Sequence, residues 1–228
     1  MKIFYLGAKH PGWLTQTSVP LFLSRATFYK EGKRRQSFPR ARGPWALDSG
    51  GFSELKKHGR WTVNPEQYVE DVRTFKSEIG KLRFAAAQDW MCESEQLART
   101  GLKVADHQRL SLDSYLELTD LAPELPWLPV LQGWSMGEYL DHVDAYERAG
   151  VRLEKLPLVG LGSVCRRQDT VRVGFLIQDL ASRGIKVHGF GFHHPVRPAW
   201  AWMRGGNRQS HASARTACPA QPPAGAPC

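Results

Sequence analysis

The sequence predicts an α/β fold, a (β/α) barrel of the TIM type that is incomplete at its C-terminal end. Three observations predict it. Short apolar runs alternate with amphipathic, helix-spaced stretches along nearly the whole chain, which calls for parallel strands with helices outside them. Each apolar run ends in polar or glycine residues, and a barrel builds its site at those strand ends. Only six strands are visible, where a closed barrel needs about eight. An open doubly wound sheet would place its ligand similarly, but no glycine-rich dinucleotide fingerprint follows the first strand.

Lys2 to Leu6 reads as the first strand, closed by a tight turn at Gly7. Pro20 to Tyr29 carries apolar residues at helical spacing and reads as a helix. A basic loop follows, with Lys30, Lys33, Arg34, Arg35, Arg40 and Arg42. It is either a phosphate-gripping loop or a solvated one. Trp45 to Leu47 is a strand that stops abruptly at Asp48-Ser49-Gly50-Gly51-Phe52. Asn64-Pro65-Glu66 is a helix start: an N-cap, a proline in the first turn and an acid near the positive end. Tyr68, Val69, Val72, Phe75 and Ile79 then keep one apolar face until Gly80. Leu82 to Gln88 is a strand tipped by Asp89-Trp90-Met91-Cys92. Leu112 to Leu118 marks a helix ending before Pro123. Trp127 to Leu131 is a strand tipped by Gln132-Gly133-Trp134, and a helix runs from Gly137 to Ala149. Leu156 to Leu161 is tipped by Gly162-Ser163, Thr170 to Ser182 is helical, and Lys186 to Phe190 is the last strand. Residues 1–191 thus form one domain, and the Pro/Ala/Arg-rich residues 192–228 read as a disordered tail.

With 228 residues and 42% hydrophobic content the chain can bury a sizeable core. No apolar run reaches the length of a membrane span and no signal peptide opens it, so a cytoplasmic protein without a membrane partner is expected. Its four scattered cysteines suggest a reducing compartment. The net charge of +9 suits a polyanion such as nucleic acid.

Several tips carry purine-reading chemistry. A carboxylate accepts from a guanine N1–H and 2-amino group, and a Gln amide donates to O6. Taken singly, each has a plain alternative. Asp48 could make an Asx turn, Asp89 could cap a helix beginning near Cys92, and Gln132-Gly133 could be only a turn. Trp90 and Trp134 could sandwich an extruded base or simply pack. Cys92 and Cys165 read as small buried residues.

Asp48-Ser49-Gly50-Gly51-Phe52 resembles the signature of the tRNA-guanine transglycosylase superfamily. Gln88-Asp89-Trp90-Met91-Cys92-Glu93, Leu131-Gln132-Gly133-Trp134 and Gly162-Ser163-Val164-Cys165-Arg166-Arg167 resemble its DNA-acting branch, the deazapurine-in-DNA protein A (DpdA) family. The resemblance implies base exchange at a glycosidic bond. Guanine would be replaced by a 7-deazaguanine derivative in DNA, with tRNA as the alternative substrate and no cofactor. It implies acid/base work for Asp48 and base recognition by Asp89. Substrate contacts would come from Ser49, Gly50, Gly51, Phe52, Gln88, Gln132, Gly133 and Gly162. Nucleic-acid contacts are expected from Lys33, Arg34, Arg35, Arg166 and Arg167.

The resemblance stops after Gly191. The superfamily's nucleophilic aspartate lies on a later strand, yet the last acid of this sequence is Asp179, inside a helical stretch. Such a change resembles a shifted reading frame or a truncated copy, and this copy is expected to be inactive in exchange. The superfamily's tRNA branch carries a zinc motif. Here His193, His194, His211, Cys218 and Cys228 lack zinc-site spacing, so no metal is expected. Two other classes stay open: a nucleic-acid-binding remnant without turnover, and an unrelated hydrolase using Asp48 and Asp89 as a carboxylate pair.

Overall fold

A computed structural model of the chain describes residues 5–165 and 171–191. Within them, β1 (Leu6–Ala8), β2 (Leu21–Ser24), β5 (Trp45–Asp48), β6 (Leu82–Ala86) and β7 (Trp127–Leu128) form a parallel sheet in that order. A second parallel sheet runs β8 (Val130–Leu131), β9 (Val159–Leu161), β10 (Val187–Gly189). Only Pro129, which has no N–H to give a ladder, separates β7 from β8. That one segment pairs with β6 through Trp127 and Leu128 and with β9 through Val130 and Leu131. Seven parallel strand positions therefore follow one another.

The helices α3 (Pro65–Glu78), α5 (Val104–Leu121), α6 (Met136–Arg148) and α7 (Val171–Ser182) alternate with these strands. The α3 start is as expected: the Asn64 Oδ1 accepts from the Gln67 N–H at 2.8 Å, with Pro65 in the first turn. Tyr68, Val69, Val72, Phe75 and Ile79 are all buried. Ring contacts join residues at opposite ends of the strand order. His188 on β10 lies 5.8 Å from Tyr5 and 5.2 Å from Phe22 on β2, and Phe190 lies 5.1 Å from Phe22. The parallel array thus curls until its two ends touch through side chains, although among the described residues β1 and β10 share no strand pairing.

Three expectations are corrected. Pro20 to Tyr29 is not a helix: β2 is followed by a 3-10 turn, Arg25–Phe28, and by β3 (Tyr29–Lys30). Leu21 and Leu23 are buried while Phe22 and Ser24 are less so, a period of two that a four-residue run cannot separate from a helical one. The basic loop is partly a hairpin, because β3 pairs antiparallel with β4 (Lys33–Arg34). Its turn residues Glu31 and Gly32 both have positive φ, 54° and 76°, the twist that two-residue hairpin turns favour. Gly7 lies inside β1 rather than in a turn after it. The tail, 192–228, lies outside the described residues.

Candidate active site

β5 is apolar and buried through Trp45, Ala46 and Leu47, then ends in Asp48. Gly50 follows with φ +85°, a conformation open to glycine at little cost, and α2 (Gly51–His58) starts at once. This sharp exit leaves Asp48 at the strand tip. Its carboxylate accepts from the Gly50 amide and from the Ser24 hydroxyl on the neighbouring strand. Burial outweighs both bonds and pushes its pKa up to about 6.

Asp89, just beyond β6, is 2% exposed. Its Oδ1 accepts from the Ser49 hydroxyl at 2.9 Å and its Oδ2 from the Gln132 amide at 2.5 Å. Burial first, and then the negative charge of Asp48, push its pKa up to about 7. The reading of Asp89 as a helix cap does not describe this geometry: its oxygens meet Ser49 and Gln132, and the N-cap of α4 (Ser94–Thr100) is Glu93.

Gln132, beyond β8, is fully buried and engaged at every polar group. Its N–H donates to His142 Nδ1 at 2.9 Å, its carbonyl accepts from Gln108 Nε2 at 2.8 Å, and its Oε1 accepts from the Ser163 hydroxyl at 2.7 Å. A Cβ on Gly162 would stand 2.2 Å from the Gln132 amide nitrogen, so that close approach requires glycine. Tyr139 donates to the Gly162 carbonyl at 2.7 Å. Burial lowers the pKa of His142 to about 4, which keeps the ring neutral, and the Gln132 N–H makes Nδ1 the acceptor.

Four strand tips thus converge on one acceptor and donor set, in the chain order that the motifs had. Residues 1–196 match the family model of DpdA, DeoxyPurine in DNA protein A. The chain belongs to the DpdA family. No curated protein matches it.

Other expected site residues of this DpdA-family chain turn no side chain into the cluster, although the Gly51 N–H donates to the Ser49 hydroxyl at 3.3 Å. Gln88 is buried, but its amide donates to the Val63 carbonyl at 2.8 Å. Phe52 is 43% exposed on α2, with the Lys56 ammonium 5.8 Å from its ring centre. Gly51 and Gly133 serve close packing: added Cβ atoms would meet Met91 Cε at 2.5 Å and the Tyr139 nitrogen at 3.0 Å. Trp90 and Trp134 line different cavities. Trp90 faces one of about 320 Å³ together with Trp61, and Trp134 one of about 820 Å³ between α6 and α7. Neither cavity is lined by Asp48, Asp89 or Gln132. Cys92 is buried and its thiol is pushed far up by burial, so it stays protonated.

Arg34 is committed elsewhere. It donates to Asp71 on α3 at 3.1 Å, in a network where Arg25 and Tyr29 each reach the other Asp71 oxygen at 2.7 Å. Arg35 donates to the Thr27 carbonyl at 3.2 Å, whereas Lys33 is exposed. Arg166 and Arg167 lie outside the described residues. Among the described residues no three His, Cys, Asp or Glu side chains group as metal ligands. None of the described helices is long and apolar enough to cross a membrane. The zinc-type residues of the tail, from His193 to Cys228, also lie outside the described residues.

Sequence reading missed Ser24, Gln108, Tyr139 and His142, and it placed Ser163 at a strand tip without giving it a role. One signal was available for His142: it interrupts the apolar stripe Tyr139, Val143, Tyr146 on α6, and a polar residue on a buried stripe needs a partner.

A pH prediction follows from the two acids. Their folded pKa values lie above the ordinary 3.8, so the stability they add is present below pH 4 and is lost as pH rises through 6 and 7. The buried His142 and the half-buried His188, both neutral, act oppositely, losing stability as pH falls from about 6.5 toward 4. The informative quantity is therefore a difference. Asp89→Asn should gain melting temperature relative to the unaltered chain between pH 4 and pH 8. Thermal melts across that range check it, and a flat difference would contradict the buried ionisation of Asp89.

Proposed function

We propose that this DpdA-family chain carries the base-reading site of a transglycosylase that exchanges guanine in DNA for a 7-deazaguanine derivative. The observation that carries the reading is Asp89 with both oxygens accepting, between Ser49 and Gln132, next to Asp48. A carboxylate that accepts and an amide that donates complement a lactam edge, which offers N–H donors beside an oxygen. Asp48, with a pKa near 6, suits proton transfer to a leaving purine and from an incoming one. The curled parallel array is read as a (β/α) barrel of the TIM type with its site at the strand C-terminal ends. The ring contacts of His188 with Tyr5 and Phe22 support that closure. Residues 1–191 form the transglycosylase-like domain and act in the cytoplasm. The target guanine would be flipped out of the duplex to reach the tips.

In a complete exchange a carboxylate attacks C1′ and forms a glycosyl ester. The guanine leaves as Asp48 supplies the proton to its ring nitrogen. The deazaguanine then attacks C1′, gives its proton to Asp48 and releases the carboxylate. Asp48 cannot both attack C1′ and manage the proton, and residues 180–228 contain no acid. The chain is therefore read as binding the base without completing exchange.

Calorimetric titration with guanine and with adenine, beside gel-shift competition between duplex DNA and tRNA, tests the reading. Guanine should bind and adenine should not, and DNA should compete better than tRNA. Binding of neither base would overturn it. Among the basic residues, Lys33 is expected to meet phosphate. Lys33→Ala should flatten the slope of log K against log salt by about one unit. Arg34→Ala should instead lower the melting temperature, because the buried Asp71 loses a partner. A slope unchanged by Lys33→Ala would leave the hairpin merely solvated.

A further inference from the structure

Ser163 is 4% exposed and holds φ +53°, a left-handed backbone that serine rarely adopts. Its oxygen accepts from the Cys92 N–H at 2.8 Å. A backbone N–H can only donate, so the Ser163 proton must point elsewhere. Two acceptors are in reach: Gln132 Oε1 at 2.7 Å and Glu93 Oε2 at 3.0 Å. The shorter bond goes to Gln132. At its other end the Gln132 amide meets Asp89 Oδ2, and an ionised carboxylate accepts only. With Asp89 ionised, both ends demand one orientation, with the oxygen toward Ser163 and the NH₂ toward Asp89. The proton order runs from the Cys92 amide through the Ser163 hydroxyl and the Gln132 amide to Asp89, with Ser49 donating to the remaining oxygen.

We propose that Ser163 is a specificity-determining positioning residue, which locks the Gln132 amide so that the site offers a donor to a lactam oxygen and rejects an amino group there. The inference rests on the reading of the cluster as a purine site. The NH₂ of Gln132 has a second N–H beyond the one given to Asp89, and in the proposed base-bound site that is the group a guanine-type oxygen would use. An inverted amide would present an oxygen instead, which fits a base carrying an exocyclic amine at that position. Without the Ser163 hydroxyl nothing at that end prefers the amide oxygen. Discrimination then falls to what Asp89 alone supplies.

The strained backbone gives variants whose effects on stability and specificity oppose one another. Ser163→Gly deletes the hydroxyl and suits a positive φ. Ser163→Thr keeps the hydroxyl but puts a β-branched residue in the left-handed region, which strains the backbone. The probes are guanine and 2,6-diaminopurine, whose rings differ at the lactam edge, measured by calorimetric titration beside a thermal melt. The unaltered chain should prefer guanine. Ser163→Gly should shrink that preference by about tenfold or more, the size of one buried hydrogen bond to a demanding partner, with the melting temperature little changed, because relief of the positive φ offsets the stranded Cys92 N–H. Ser163→Thr should melt earlier and keep the preference. If Ser163→Gly does not fold, Ser163→Ala takes its place with the same expectation for the preference and an earlier melt, since alanine keeps the strained φ. An unchanged preference in the hydroxyl-free variant, or an equal loss in Ser163→Thr, overturns the proposal and leaves the base site standing. Failure of the unaltered chain to bind either purine overturns the base-site reading and this inference with it.

Discussion

Asp89→Ala is expected to weaken guanine binding by about 10²- to 10⁴-fold. In the proposed reading the carboxylate accepts from the base edge, and a guanine would give it two N–H groups. Hydrogen bonds to a charged group contribute about 1.5–3 kcal/mol each, so losing two removes about 3–6 kcal/mol. The substitution also strands the Gln132 amide and the Ser49 hydroxyl, which both donate to Asp89. Stability should respond far less. Deleting a carboxylate whose ionised form is disfavoured by burial relieves a cost at neutral pH and offsets the lost bonds. Asp89→Asn is the sharper control, since it keeps the volume and turns one acceptor into a donor. Calorimetric titration with guanine and a melt of each variant check this. Unchanged affinity in both variants would remove Asp89 from the site.

Much of this site was legible in the sequence because it sits at the ends of apolar runs. Asp48, Asp89 and Gln132 each close a strand, and strand tips are where a parallel α/β fold exposes side chains to a ligand. The α3 helix was legible for the same local reason, since cap, proline and stripe all lie within one segment. What failed was either too short or too distant. The β2 run has four residues, and its alternation shows only once Leu21 and Leu23 are seen packing inward. The pairing of Arg34 with Asp71 spans 37 residues of sequence, so a basic cluster hid a structural ion pair. Gln88 could have been separated from Asp89 at the outset. Neighbours on an extended chain face opposite ways, and with Asp89 in the cluster Gln88 turns to Val63. The buttress of Gln108, Tyr139 and His142 comes from two helices and has no motif, only the demand that buried polar groups find partners.

The chain as it stands is expected to give no measurable base exchange while still binding guanine. In the proposed reading the four tips supply recognition and one proton-transfer group, but exchange also needs a nucleophile at C1′. Glu93 is engaged by the Ser163 hydroxyl at 3.0 Å, which leaves Asp48 as the candidate nucleophile beside Asp89. Asp48 accepts from the Gly50 amide and the Ser24 hydroxyl, bonds that hold it in place for a proton rather than free it for attack. Using Asp48 as the nucleophile would leave the departing purine without an acid. General acid–base help is worth about 10²- to 10⁴-fold, so either assignment leaves a large part of the barrier uncovered. The test is incorporation of labelled guanine into guanine-containing duplex DNA and into tRNA, with a denaturing gel to trap a protein–nucleic acid ester. Neither label nor adduct should appear, and neither should change in Asp48→Asn. Sustained incorporation, or an adduct that vanishes in Asp48→Asn, would show that Asp48 attacks C1′ and that Asp89, with its pKa near 7, carries the proton in its place.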